Sequence, residues 1–289
     1  MVDGPALRIP RATTAVILAR GLGSRMRRED DGAALTAEQA AAAAAGAKGL
    51  MPIAGHALLD YVLSALADGG VTDVVFVVAP GETALRGRYG RDRRPARLRV
   101  HFAEQALPRG TADALHAAEE AVQAIGPHDD AGQAHFLMLN ADNLYPAESV
   151  AALVRLDGPG IVAYEPTALS TAGNIEPERV MAFALLDVRD DGLLHDIVEK
   201  PAAEHPLARQ RERWVSMNLW RFTSEIFADC AMVLPSSRGE LELADAVRSA
   251  IARGIEFQAV KQQVPVLDLS RRGDVAAVEA RLAGRVPRP

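Results

Sequence analysis

A short apolar strand running straight into a glycine loop constrains this chain more than any other feature. Residues 15–19 are an apolar run with two β-branched positions, and the run breaks into Arg20-Gly21-Leu22-Gly23-Ser24-Arg25-Met26-Arg27-Arg28. A brief, unbroken apolar run bounded by turn residues reads as a buried strand. Gly21 and Gly23 permit positive φ and close backbone approach. Exposed N–H groups in such a loop attract oxyanions. Arg25, with Arg27 or Arg28 behind it, adds cations of the kind that meet phosphate. A strand feeding a glycine loop near the amino end is where open α/β sheets bind nucleotides. A G-x-G pair is also common in plain turns, so the reading leans on the rest of the chain.

Beyond the loop, strands and helices alternate. Strands are expected at 71–79, 98–102, 135–139, 161–164, 180–186, 193–198, 214–222 and 258–267. Helices are expected at 58–66, from Gly110 or Thr111 to about 124, and at 224–230, 241–253 and 273–282. This order predicts an α/β fold: a mixed, mostly parallel sheet with helices on both faces. Residues 1–10 read as a loose tail and 11–289 as a single domain, with a nucleotide-binding half at 11–145 and a second half at 146–289. The first half carries an inserted helix within 29–47. Thr36 is placed to cap it, Gln39 stands at the capping-box position, and an alanine run leads to Gly46. The plain reading is a surface insertion; the sharper one is a lid over the phosphate loop.

Composition excludes several classes. The chain has 289 residues and a net charge of −6, which argues against a general nucleic-acid binder. A single cysteine, Cys230, allows neither an internal disulfide nor a zinc cluster built on thiolates. The first ten residues lack the apolar core of a signal peptide, and no apolar run is long enough to span a bilayer, so a cytoplasmic protein is expected. The second expected strand ends in Ala79-Pro80-Gly81 with no acidic residue to hold a ribose, which counts against a nicotinamide-dependent oxidoreductase.

The groups that can do chemistry cluster at expected strand ends. Asp142 follows the strand at 135–139, and Asp268 follows the last expected strand. Carboxylates there, beside a phosphate loop, can hold Mg²⁺; each can also be a turn residue capping its own backbone. Lys48 and Lys200 stand next to strand ends and prolines in a chain with few lysines, as charge partners for phosphates.

These residues resemble a family. Leu18-Ala-Arg-Gly-Leu-Gly-Ser-Arg-Met26 is similar to the L-A-G-G-x-G-T-R-[ML] signature of sugar-1-phosphate nucleotidyltransferases, and Lys48-Gly-Leu-Met-Pro-Ile-Ala-Gly55 to their P-K-P-L-[LV]-P-[VI]-x-G segment. Asn140-Ala-Asp-Asn143 resembles their G-D-N motif, and Val198-Glu-Lys-Pro201 matches V-E-K-P. Arg238-Gly-Glu-Leu-Glu-Leu-Ala-Asp245 resembles the R-G-E-L-E-[IL]-T-D of the thymidylyltransferase branch, and Leu267-Asp-Leu269 a late D-x-G segment. The six segments occur in the family's order along nearly the whole chain.

The resemblance implies a Rossmann-like fold of the nucleotide-diphospho-sugar transferase type. It also implies an enzyme that joins an NTP to a sugar 1-phosphate with release of pyrophosphate, using Mg²⁺. Arg25 and Lys48 would be catalytic. Ala19, Gly21, Gly23, Ser24, Gln105, Gly110 and Thr111 would bind the nucleotide. Glu199, Lys200 and Asn218 would bind the sugar phosphate, and Asp142 and Asp268 the metal. Gln105 and the segment 238–245 point toward dTTP or UTP, whereas Arg109-Gly-Thr-Ala-Asp-Ala114 looks more like ATP-using members. A cytidylyltransferase for a small phospho-alcohol and a non-catalytic regulatory member are the alternatives. Members are often homo-oligomers. Departures are Arg20 at the usual first glycine, a doubled gap from Arg25 to Lys48, Gly49 in place of a common proline, and Asn218 where many members have glycine. Trp220 reads as core.

Overall fold

The computed structural model describes residues 9–21, 23–28, 33–199, 201–202 and 204–289. Most of the expected tail, the acidic start of the insertion at 29–32, and Lys200 lie outside the described residues.

Among the described residues nine strands form the main sheet: β1 (Thr14–Leu18), β2 (Asp73–Val78), β3 (Arg99–Glu104), β4 (His135–Asn140), β5 (Gly160–Tyr164), β6 (Leu185–Val188), β7 (Leu194–Val198), β8 (Trp214–Thr223) and β9 (Gln258–Gln262). They run in the order β7-β6-β8-β4-β1-β2-β3, with β5 joined to β8 and β9. The expected mixed sheet is therefore present. β1 to β4 are parallel to one another where they pair, as β5 is to β9; the ten-residue β8 runs antiparallel to β4, β5 and β6.

Strand residues alternate between two cores because successive side chains point to opposite faces. Ala15, Ile17, Val74, Phe76, Leu137 and Leu139 face one core, with the helices Leu58–Asp68, Ala147–Arg155 and Asp274–Leu282. Val16, Val75, Val77, Phe136 and Met138 face the other, with Thr111–His116, Ile226–Met232 and Leu243–Ala252. This double cover is why β1, β2 and β4 read as continuous apolar runs. Cys230 is a core residue whose thiol burial pushes up to about 12.

Several boundaries differ from expectation. The run at 180–186 is not one strand. Glu176 and Pro177 start a helical turn, Pro177–Val180, since proline's fixed φ suits the first helical position; the strand begins only at Leu185. The expected strand at 258–267 splits into β9 and a separate two-residue piece, Leu267–Asp268, with Pro265 between them. Proline has no N–H to give a ladder. The helix expected from Gly110 to about 124 is two, Thr111–His116 and Glu119–Ile125. The helix Ala147–Arg155, which buries Val150, Leu153 and Val154 on one side, was not expected at all.

One buried cation ties the two ends of this architecture together. Arg221 on β8 is fully buried. It donates to the carbonyls of Leu153 and Val154 at 3.1 Å each, to that of Pro10 at 2.9 Å, and to His135 Nδ1 at 3.0 Å. His135 then donates through Nε2 to Asp129 at 2.9 Å, which fixes its tautomer. Burial pulls Arg221 down to about 10, so it remains charged at neutral pH. Replacing it with alanine removes the donor to Pro10 O in the amino-terminal segment and the second donor to Leu153 O and Val154 O, which keep the N–H groups of Leu156 and Ala12. Arg221→Ala should therefore lower unfolding stability by about 3 kcal/mol, read from urea unfolding midpoints.

Candidate functional site

The parallel register between β1 and β4 pairs Leu18 with Asn140, so two loops leave the same carboxyl rim of the sheet side by side. One is the glycine loop; the other carries Asp142. Ligands of open α/β sheets bind at this rim.

In the glycine loop, Ala19 continues the sheet by donating its N–H to Val77 O at 2.9 Å. Gly23 is buried with φ +60°, and a Cβ there would lie 2.6 Å from Gly46 O. Its glycine is required by both backbone and contact. Gly21 is exposed, and a Cβ there would meet nothing within 4 Å. Ser24 and Arg25 are exposed on the helical turn Ser24–Arg27, and Arg25 makes no ion pair among the described residues.

The inserted helix, Ala37–Ala45, forms as expected. Thr36 and Gln39 make a reciprocal capping box, and Gly46 ends the helix at φ +71°. It is anchored rather than lid-like. Ala43 and Gln39 are buried, and Gln39 donates to Pro52 O at 3.0 Å and to Glu279 at 3.2 Å on the terminal helix. Arg27 donates to Ala45 O at 3.0 Å. The insertion thus packs between the glycine loop and the Lys48 turn and fixes their separation.

Lys48 begins the turn Lys48–Leu50 and pairs with Asp142 at 2.7 Å, both side chains partly buried. Asp142 in turn lies within electrostatic reach of Asp268. The pair Leu267–Asp268 forms an antiparallel ladder with Asn143–Leu144, and Leu269 donates its N–H to Asp142 O at 2.9 Å. Burial first, and Asp142's charge second, push Asp268 up to about 6. Arg179 opposes this from 2.6 Å, and Asn143 and Ser270 donate to the other oxygen at 2.9 and 3.0 Å. Arg179 also pairs with Asp274 at 2.6 Å.

Of the other predicted residues, Gln105 follows the carboxyl end of β3, beside the end of β2. Gln105 is buried and donates to Gly110 O at 3.2 Å and to Asp113 at 2.7 Å. Gly110 has φ +133°, and a Cβ there would lie 2.4 Å from Leu241 O. Thr111 Oγ1 accepts from the Leu243 N–H at 2.9 Å, and Ala112 donates to Leu241 O at 2.9 Å. The segment 109–112 is thereby zipped to the start of the Leu243–Ala252 helix. Glu199 is partly buried within electrostatic reach of Arg238, which hydrogen bonds to Glu242 hold above its usual range. Asn218 sits in a β8 irregularity with φ +58°, a conformation asparagine tolerates better than most residues. Its Oδ1 accepts from the indole of Trp220 at 3.3 Å. Trp220 is fully buried and stacks with Phe222 at 5.4 Å, so it is core.

Sequence reasoning missed Arg179, Asn143 and Ser270, which hold Asp268, and the role of Arg20, which donates to the carbonyls of Gln105 at 2.6 Å and Ala106 at 3.0 Å. Arg179 is 89 residues from its partner, and no local spacing signals it. Arg20 was visible only as a departure from the family pattern.

The model of one family, nucleotidyl transferase, matches residues 14–264. The chain belongs to the nucleotidyl transferase family. Among curated relatives of this nucleotidyl transferase is the UTP–glucose-1-phosphate uridylyltransferase of Haloferax volcanii, 26% identical, with 93% of this chain and 96% of that one covered. A glucose-1-phosphate thymidylyltransferase of Streptomyces griseus is 27% identical over 85% of this chain, which spans only 59% of that longer protein. A solved UTP-bound UGPase from Acinetobacter baumannii shares the fold, with a TM-score of 0.71 at 14% identity over 96% of this chain and 95% of that one.

The two kinds of glycine separate in a simple test. Gly110→Ala forces a Cβ into the Leu241 backbone at an unfavourable φ and should cost about 1–3 kcal/mol. Gly21→Ala should leave stability unchanged within about 0.5 kcal/mol. Urea unfolding of both variants checks the contrast.

Proposed function

We propose that this nucleotidyl transferase joins an NTP to a sugar 1-phosphate, giving an NDP-sugar and pyrophosphate. The observation that carries the reading is the convergence, on one rim, of an exposed glycine loop with Arg25, the Lys48–Asp142 pair and Asp268. UTP or dTTP is the nucleotide best supported, because these relatives are, by name, a UTP–glucose-1-phosphate uridylyltransferase and a glucose-1-phosphate thymidylyltransferase.

The reaction needs charge handling more than proton transfer. A phosphate oxygen of the sugar phosphate attacks the α-phosphorus in line, a new P–O bond forms, and the bond to the β-phosphate oxygen breaks. The nucleophile is already anionic, so no strong general base is required. Bringing two anions together is a matter of positioning and electrostatic stabilisation. Gly21 offers open backbone for the triphosphate. Arg25 meets the β- and γ-phosphates and the leaving pyrophosphate. Lys48 offsets charge at the reacting centre. Glu199 and Asn218 bind sugar hydroxyls, and Lys200 the sugar phosphate.

The residues present fit Mg²⁺. Two carboxylates, hard oxygen donors, stand close enough for Asp142 to raise Asp268. Asp142 has one oxygen that accepts no hydrogen bond among the described residues. Mg²⁺ is commonly held by one or two carboxylates together with substrate phosphates and water. Asp142 and Asp268 would hold it, and when bound it would neutralise phosphate charge. The relevant donors are two rather than a cage: no group of three or more His, Cys, Asp or Glu suited to a metal occurs among the described residues.

A matrix of UTP, dTTP and ATP against hexose 1-phosphates, read by pyrophosphate release with Mg²⁺, tests the proposal; no release from any pair overturns it. In the active pair, Lys48→Ala and Asp142→Asn should each lower kcat by about 10²-fold or more while circular dichroism stays native. Wild-type turnover in either variant removes the role assigned to that residue.

A further inference from the structure

Arg20 occupies the loop position where the family's signature has its first glycine, and its side chain has a defined task. β1 and β3 are not neighbours; β2 lies between them. Their ends are therefore two inter-strand steps apart, each about 4.8 Å. From just beyond β1, Arg20 reaches over the end of β2 and donates Nε to Gln105 O at 2.6 Å and Nη2 to Ala106 O at 3.0 Å. Glycine has nothing to span that gap, and among side chains only a long one with several donors can close it on two adjacent carbonyls.

The segment it grips is the base-side loop of the proposed nucleotide site. Gln105 and Ala106 sit at the end of β3, with Gln105 N bonded to Val78 O at 2.9 Å. The Gln105 side chain holds Gly110 O and Asp113. Gly110 packs on the Leu241 backbone. Between these anchors the chain is exposed: Ala106 to Arg109 face solvent, and Leu107 is 54% exposed. Without Arg20 the first part of this loop keeps its β3 attachment and the Gln105 side-chain bonds, but the carbonyls of Gln105 and Ala106 lose the donor that ties them to the glycine loop.

We propose that Arg20 is a positioning residue that pre-organises the 105–110 loop against the glycine loop, so that a nucleoside triphosphate binds between two walls already in place. The inference rests on the nucleotidyl-transfer reading and deepens it on the nucleotide side. An ordered loop costs less conformational freedom on binding, so the effect appears in nucleotide affinity rather than in the chemical step.

Calorimetric titration of UTP, dTTP and ATP into the wild-type chain selects the nucleotide, and the same titration is repeated with Arg20→Gly and Arg20→Lys. Arg20→Gly should bind about tenfold more weakly, with KM for the nucleotide raised in parallel. Its kcat should stay within about threefold and its KM for the sugar phosphate should not change. Arg20→Lys, whose ammonium can still reach one carbonyl, should fall between the two. Equal affinity in wild type and Arg20→Gly overturns the inference. So does a lowered kcat with unchanged nucleotide affinity. A wild type that binds none of the three nucleotides instead overturns the nucleotidyl-transfer reading, which separates the two failures.

Discussion

Holding two carboxylates near each other at the end of a sheet is unfavourable, and the chain's layout follows from how that repulsion is contained. Asp142 and Asp268 come from loops 126 positions apart in sequence, brought together by a two-residue ladder. Burial and the neighbouring charge would drive a proton onto Asp268. Arg179, Asn143 and Ser270 oppose this from one side, while Lys48 neutralises Asp142 from the other. Each donor arrives from a different segment. The segments meet only because β4 leaves the sheet beside β1 and because the chain returns through Leu267–Asp268 after β9 is complete.

The same economy of contact explains the inserted helix. A loop proposed to take phosphate must keep its amides exposed, so it cannot be stabilised by covering them. It is held from behind instead: Gly23 packs on Gly46 at the end of the insertion, Met26 is buried, and Arg272 of the chain's last loop donates to Met26 O at 3.0 Å. The insertion then continues directly into the Lys48 turn, with Lys48 N bonded to Gly46 O. One helix thus sets the position of both the loop and the lysine.

Features encoded by local chemistry were legible in the sequence. The β1 run, the Thr36–Gln39 cap, the terminating Gly46 and the placing of Asp142 at a strand end all come from residues within a few positions of one another. The strand and helix order came from the same local alternation. Errors arose where one apolar run serves two elements, as at 180–186, or where proline cuts a strand, as at Pro265. The partners of Asp268 were illegible for a different reason. Arg179 looks like any surface arginine until a fold places it beside a carboxylate from another segment. Local pattern gives the charged groups, but pairing them needs the tertiary structure.

That pairing also orders the site by commitment. Asp268 is nearly enclosed, and both of its oxygens accept hydrogen bonds. Asp142 is partly exposed, with one oxygen given to Lys48. Arg25 is exposed, with no ion pair among the described residues. Charge is thus fixed at the floor and increasingly available toward the glycine loop. Under the proposed function, a polyanion entering from solvent would meet the uncommitted arginine and open Gly21 backbone first. It would reach the Lys48–Asp142 pair only where its own phosphates could replace the interactions it disturbs. Such an exchange would be less costly than breaking the pair outright, because no charge is left alone at any stage.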